Sequence, residues 1–357
     1  MTSARQEKFS GTKEVEDHLK LNDKALVEYL SDHIPDFSLP LTFKRFKGGQ
    51  SNPTYQLNTP NRNYVLRRKP PGELLPSAHA VDREYRIIKA LHGTGFPVPE
   101  PYVLCEDESV IGTMFYVMEM VEGRVFWEMS LPGMSPADRT KIYDAKIQTL
   151  ARFQQLDYRE IGLEGFGKPT DYFARQLHRW GKTYVASETE SIPEMDKLNE
   201  WLPKNIPEDN AVSLIHGDYR MDNMIYHPTE PKVVAVLDWE LATIGHPLGD
   251  FTYHLVPWLV PAMGNKMSTL AGLDLASLGI PTEEQYTARY CELTGRDAID
   301  NMDYYRAYTV WRIAAIYQGI VKRVEEGTAA SADAPKDASM VRILAERAME
   351  FAQRAGI

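Results

Sequence analysis

The hydrophobic pattern of this chain changes period along its length, and each change marks an element. Residues 1–21 are polar and mixed in charge, which predicts a loose N-terminal arm. After the N-cap candidate Asn22, the residues Leu26, Val27 and Leu30 recur at helical spacing and predict a short helix. Alternation over 41–46, a break over 47–53 and resumed alternation over 54–57 predict a hairpin with Gly48 and Gly49 at its tip. Residues 64–70 read as the next strand. Period two puts Arg67 and Lys69 on one face and Arg68 on the other, with Arg68 expected as a solvated basic strand end. Val81, Tyr85, Ile88 and Leu91 then take helical spacing over 78–92, with Glu84 inside that helix. Prolines 97, 99 and 101 force extended backbone, and 102–105 and 114–121 read as two further strands.

Beyond residue 122 the pattern is mostly helical. Ser135 and Pro136 suit an N-cap and first turn, opening a helix with Ile142, Ala145, Ile147, Leu150, Phe153 and Leu156 largely on one side. Further helices are predicted over 172–186, 195–202, 302–326 and 339–355, the last two joined by the Ala/Ser/Asp-rich residues 327–337. Arg312 lies at the margin of a wide apolar face. It is expected as a surface arginine with a buried stem, and is a candidate for reaching an anionic group of a substrate.

One stretch breaks this helical half. Two β-type runs flank the polar loop His216-Gly217-Asp218-Tyr219-Arg220-Met221-Asp222-Asn223, and a third, Val233-Val234-Ala235-Val236-Leu237, ends abruptly in Asp238. Asp218, Asn223 and Asp238 are therefore expected to gather at strand ends. Phosphoryl transfer requires such a set: a carboxylate to orient and deprotonate a hydroxyl, and a carboxylate and an amide to hold Mg²⁺ against phosphates. Each piece alone also fits a plain turn, or a helix cap at Asp238. Spacing, strand context and the following Gly245-His246-Pro247-Leu248-Gly249-Asp250 together favour the site. Asp250 is expected to cap a helical segment over 251–259 and to brace the loop, and His216 to anchor the loop, because Asp218 already fills the role of base.

His216-Gly217-Asp218, Asn223 five residues after the Asp, and the strand ending Leu237-Asp238-Trp239 resemble the signature of the aminoglycoside phosphotransferase family. That family also takes in choline-kinase-like and homoserine-kinase-like enzymes. The resemblance implies an α+β, two-lobed protein-kinase-like fold, with a small antiparallel β-rich N-lobe over 22–121 and a larger, mainly helical C-lobe over 122–357 carrying a catalytic loop at 213–240. It implies Asp218 as catalytic base, and Asn223 and Asp238 as ligands of Mg²⁺. It further implies that the tip with Gly48, Gly49 and Ser51 folds over the phosphates of ATP. Arg67 stands where this pattern usually has lysine, with Glu84 as its ion-pair partner, and the backbone C=O of Glu119 and N–H of Val121 would hold adenine. An arginine there would contact phosphate through a planar fork instead of a point charge. The segments 64–72 and 237–250 are more similar to the kinase-like domains fused or adjacent to acyl-CoA dehydrogenases than to antibiotic-resistance enzymes. That implies a hydroxylated acyl thioester as acceptor and a functional association with such a dehydrogenase. The alternatives are an aminoglycoside, choline or homoserine type of acceptor.

Composition narrows the picture. With 43% hydrophobic and 25% charged residues, 357 residues suffice for two lobes, each with a core. No uninterrupted apolar run reaches the ~18 residues of a membrane span, and the first residues lack the apolar segment of a secretion signal, so a cytoplasmic protein is expected. Two cysteines offer neither a disulfide framework nor a metal cluster. The net charge of −10 argues against a nucleic-acid or anionic-membrane surface. A nucleotide-binding pseudokinase is disfavoured because Asp218, Asn223 and Asp238 are all present. A protein kinase is disfavoured because Asp238-Trp239-Glu240 runs into 245–250 with no activation segment, so a small-molecule hydroxyl is the expected acceptor.

Overall fold

The computed structural model describes residues 4–47, 52–72, 79–263, 267–328 and 337–357. Gly48, Gly49 and Ser51 of the expected phosphate-covering tip lie outside the described residues. The chain divides into two compact units. The first runs to Trp127 and adds Arg159–Leu163 and Arg220–Ala242; the second holds Glu128–Tyr158, Glu164–Tyr219 and Thr243–Ile357.

The first unit contains α1 (Ala4–Phe9), β1 (Thr12–Lys13), α2 (Asp23–His33), β2 (Thr42–Phe46), β3 (Thr54–Asn58), β4 (Asn63–Arg68), α3 (Val81–His92), β5 (Pro101–Cys105) and β6 (Phe115–Glu119). Among the described residues, these six strands form one antiparallel sheet in the order β1-β2-β3-β4-β6-β5. The predicted alternation is what buries one face. Tyr55, Leu57, Leu66, Phe115 and Val117 point into a core closed by Leu26 and Leu30 of α2. Helix α2 starts at the expected cap, where the Asn22 side chain accepts from the Ala25 N–H at 3.4 Å.

Two features of this unit differ from expectation. Residues 4–21, expected as a loose arm, carry α1 and β1. There β1 pairs with β2, Arg45 Nη1 lies 2.9 Å from Glu16 Oε2, and Leu19 and Leu21 are buried. A few apolar anchors among many polar residues were enough to dock the segment. Arg68, expected as a solvated strand end, is only 3% exposed. Its guanidinium lies over the Tyr55 ring at 5.5 Å and donates to the carbonyls of Leu19 (3.3 Å) and Ile111 (3.4 Å). Those partners replace the water that a buried arginine must give up.

Among the described residues, four short strands follow: β7 (Ser213–Ile215), β8 (Met224–Tyr226), β9 (Val233–Val236) and β10 (Thr243–Gly245). Strands β8 and β9 pair with each other and belong to the first unit, whereas the expected boundary put all of 122–357 in the helical half. The physical reason is their hydrogen bonding. Val236 donates to the Pro97 carbonyl at 2.8 Å, Arg124 and Tyr226 exchange backbone bonds at 2.7 and 2.8 Å, and the Trp239 ring meets Phe96 edge-on at 6.2 Å.

In the second unit β7 pairs with β10, with Leu214 opposite Ile244. Its helices are α4 (Pro136–Gln154), α5 (Tyr172–Ser187), α6 (Pro193–Trp201), α7 (Leu248–His254), α8 (Val256–Leu259), α9 (Leu275–Leu278), α10 (Glu283–Thr294), α11 (Met302–Glu325) and α12 (Ser339–Arg354). Ser135 caps α4 as its sequence suggests, accepting from the Asp138 N–H at 3.2 Å with Pro136 in the first turn. Helix α11 is the centre of this unit. Tyr308, Val310, Trp311, Ala314 and Ala315 are fully buried, and the helix packs against α5, α7 and α12. Among the described residues, no helix is long and apolar enough to cross a membrane.

His254 on α7 is fully buried, with Nε2 2.7 Å from the Tyr286 hydroxyl and Nδ1 3.3 Å from the Tyr219 carbonyl. Burial, with Lys146 adding to it, holds this imidazole well below its ordinary value. The unfolded chain therefore binds the proton more readily below about pH 6.5. The contribution of this group to stability is expected to be level above that pH and to fall on acidification, by up to about 1.4 kcal/mol per pH unit. Urea unfolding at neutral pH and near pH 5.5 checks this: His254→Gln should show a shallower loss than the parent, and an identical loss would remove His254 from the account.

Candidate active site

In the first unit the strand register brings the two metal-ligand candidates together. Asn223 closes a one-turn 3₁₀ segment just before β8, and Asp238 follows β9 by two residues. Met224 stands opposite Val236, and the Leu237 N–H donates to the Asn223 carbonyl at 2.8 Å, so both residues lie at the same end of the strand pair. Asp238 has φ +65°, a left-handed conformation that Asp tolerates better than most side chains. It starts the 3₁₀ turn Trp239–Leu241, yet its side chain makes no cap hydrogen bond. Its carboxylate turns instead to Arg67, with Oδ1 2.6 Å from Nη2.

Arg67 on β4 is the hub of this half. Its Nε lies 2.8 Å from Glu84 Oε2, and its Nη2 donates to Glu84 Oε1 at 3.1 Å and lies 3.5 Å from Glu240 Oε2. Fully buried Glu84 also accepts from Asn52 Nδ2 (3.1 Å) and the Tyr116 hydroxyl (2.9 Å). The Asn52 amide also reaches Glu240 Oε2 at 3.4 Å, and its Oδ1 lies 2.9 Å from His79 Nδ1. A planar fork can face Glu84 and Asp238 at once, whereas a lysine offers one nitrogen. Burial opposes the charge on Arg67, but Glu84 and Asp238 outweigh it and keep the guanidinium firmly protonated. Burial pushes the Glu84 carboxyl up, against the pull of Arg67.

The expected adenine contacts sit at the end of β6. Glu119 is its last residue, half-buried, with its N–H donating to the Glu100 carbonyl at 2.8 Å, and Val121 lies in the irregular segment beyond it.

In the second unit the loop after β7 is clamped by two helices. Gly217 takes φ +87°, which favours glycine. Asp250 was expected to cap a helix over 251–259, but α7 begins at Leu248, with Pro247 at the N-cap position. The fully buried Asp250 carboxylate instead accepts the N–H groups of His216 (2.5 Å) and Gly217 (2.8 Å). Burial raises this carboxyl, with His216 and the two N–H donors acting against the rise. Arg312 of α11 is no surface residue: it is 5% exposed and donates to the Gly217 carbonyl at 3.3 Å. This corrects its expected placement. The guanidinium is spent on the loop backbone, because α11 runs through the middle of its unit. His216 is buried and its Nδ1 accepts the Asp218 N–H at 3.2 Å. Asp218 Oδ1 in turn accepts from the Tyr253 hydroxyl at 2.7 Å.

Asn52, Glu240 and Tyr253 were missed from the sequence. Asn52 fell within the break over 47–53 and Tyr253 within the helical segment over 251–259. Glu240 carried a usable signal, as a carboxylate two residues from a metal-ligand candidate.

Comparisons with known proteins bear on the family and the fold. The family model described as "Phosphotransferase enzyme family" matches residues 42–278, more than half of the chain. A crystal structure of a "putative aminoglycoside phosphotransferase" from Ralstonia eutropha JMP134 is 50% identical, with a TM-score of 0.86, covering 94% of this chain and 99% of that one. Choline kinase from Cryptosporidium parvum Iowa II shares the fold at 9% identity, with a TM-score of 0.63 over 93% of this chain and 95% of that one. Among curated proteins, acyl-CoA dehydrogenase family member 10 of Mus musculus is 43% identical over 97% of this chain, and member 11 of Homo sapiens is 42% identical over 94%. The chain spans only 32% and 44% of the length of those two relatives. The fold is therefore kinase-like, and the chain belongs to the phosphotransferase enzyme family.

Proposed function

We propose that this chain transfers the γ-phosphate of ATP to a hydroxyl of a small molecule, with Asp218 as base and Asn223 and Asp238 as the residues that hold Mg²⁺. The observation that carries the reading is the Arg67 fork joining buried Glu84 to Asp238. A buried, permanently charged cation fixed beside a metal-ligand acid is what phosphate pairing asks for.

The donor set fits magnesium. Asn223 and Asp238 end the same strand pair and offer an amide and a carboxylate oxygen. Oxygen donors alone suit a hard cation and disfavour zinc or copper. Bound Mg²⁺ would neutralise charge on the phosphates. Arg67 would pair with phosphate oxygens, keeping Glu84 as its counter-charge. Asp218 would take the proton of the acceptor hydroxyl as that oxygen bonds to the γ-phosphorus and ADP leaves with the electrons of the broken bond. The backbone of Glu119 and Val121 is proposed to hold adenine.

For the acceptor we favour a hydroxyacyl thioester, and with it an association with an acyl-CoA dehydrogenase. The names of the curated relatives, whose greater length leaves room for a further activity, support this choice. ADP release from Mg-ATP tests it against a panel of hydroxyacyl-CoA thioesters, aminoglycosides, choline and homoserine, with Asp218→Asn as the blank. Turnover on the thioesters alone, absent in the blank, is the expected result. Turnover on another member would replace the acceptor, and tight Mg-ATP binding with no acceptor turnover would favour a binding module.

A further inference from the structure

Asp250 and Tyr253 lie three residues apart on α7, hence on one face of that helix, and both address the loop at 216–218. Asp250 holds the backbone through the N–H groups of His216 and Gly217. Tyr253 reaches the next side chain, its hydroxyl donating to Asp218 Oδ1 at 2.7 Å. The Tyr253 ring is itself held in place. The Arg312 guanidinium lies 5.2 Å from its centroid and 5.6 Å from that of Trp180, and it donates to the Gly217 carbonyl at 3.3 Å. One guanidinium thus ties the ring beneath the carboxylate to the backbone that carries the carboxylate.

We propose that Tyr253 is a positioning residue for phosphoryl transfer: its O–H fixes the rotation of the Asp218 carboxylate so that the other oxygen meets the acceptor hydroxyl. This rests on the reading of Asp218 as base. A carboxylate on a single-bonded stem turns easily about its last torsion, which is broad and roughly two-fold. A charge-assisted O–H bond to one oxygen removes that freedom and is about twice as strong as a neutral bond. Tyr253 neither gives up nor gains a proton. The proton moves from the acceptor to Asp218, the new O–P bond forms, and ADP departs with the bonding pair.

The test is a double-mutant cycle read by single-turnover hydrolysis of γ-³²P-labelled Mg-ATP, with water as acceptor. Y253F keeps the ring over Arg312 and loses only the hydroxyl. It is expected to slow the single turnover by about 10-fold with little change in the Mg-ATP concentration giving half the maximal rate. In the D218N background the same change should add less than about a twofold loss, because the two groups act as one unit. Equal rates for Y253F and the parent, with D218N impaired, would overturn the role of Tyr253 alone. Equal rates for D218N and the parent would overturn the base itself. The same factor in both backgrounds would mean that Tyr253 does not act through Asp218. If Y253F fails to fold, difluorotyrosine placed at 253 keeps the ring and hydroxyl while changing donor acidity. It should alter the rate in the parent background and leave it unaltered with D218N.

Discussion

Asp218→Asn is expected to lower turnover by about 10²–10³-fold while leaving Mg-ATP affinity within about twofold. The asparagine keeps the shape and can still accept from Tyr253, so the loop held by Asp250 and Arg312 should stay in place. What it lacks is basicity at the one side chain assigned to the acceptor proton. Steady-state turnover and calorimetric Mg-ATP binding separate the two effects. A variant that keeps its turnover would remove the base, and one that loses nucleotide binding in proportion to turnover would move Asp218 to the nucleotide. Asp238→Ala is the counterpart: it should weaken Mg-ATP itself, because Asp238 is assigned to the metal and is one of the acids that Arg67 contacts.

Arg67→Leu is expected to cost about 3–5 kcal/mol of stability, since it leaves Glu84 charged, fully buried and without its cation. Asn52 and Tyr116 would still donate to Glu84, which sets the lower end of that range. Against a typical total of about 5–15 kcal/mol, this is a loss that urea denaturation resolves easily. Arg67→Lys should fall between, as one ammonium nitrogen has to replace the two nitrogens, Nε and Nη2, that face Glu84 together. Changing Glu84→Gln together with Arg67→Leu should recover part of the loss, because the fully buried carboxylate no longer lacks its cation. A loss below about 1 kcal/mol for Arg67→Leu would show that water reaches the site and that the network contributes little.

The elements with a clean period were legible in the amino-acid pattern. Alternation at Tyr55 and Leu57 and helical spacing at Leu26 and Leu30 both became one core. The Arg67–Glu84 partnership was legible too, but only through resemblance, because neither residue differs locally from a solvated one. What escaped was decided by tertiary partners. Arg68 became buried because two carbonyls and the Tyr55 ring were waiting for it. Residues 4–21 docked because Leu19 and Leu21 found a core, although the segment around them reads as polar. Arg312 looked like a margin residue because helical spacing shows which face is apolar, but not that its helix is enclosed on several sides. Asp250 and Tyr253 share a face of α7 for reasons that periodicity contains, yet what that face touches depends on where β7 ends.

The measurement that bears most directly on the central claim is detection of the phosphorylated product. Purified protein, Mg-ATP and a hydroxyacyl-CoA thioester would be followed by ³¹P NMR, with Asp218→Asn in parallel. The account predicts a new phosphomonoester resonance on the acceptor, growing in step with ADP and absent with Asp218→Asn. Conversion of ATP to ADP and inorganic phosphate alone, at the same rate with and without acceptor and in both proteins, would contradict it.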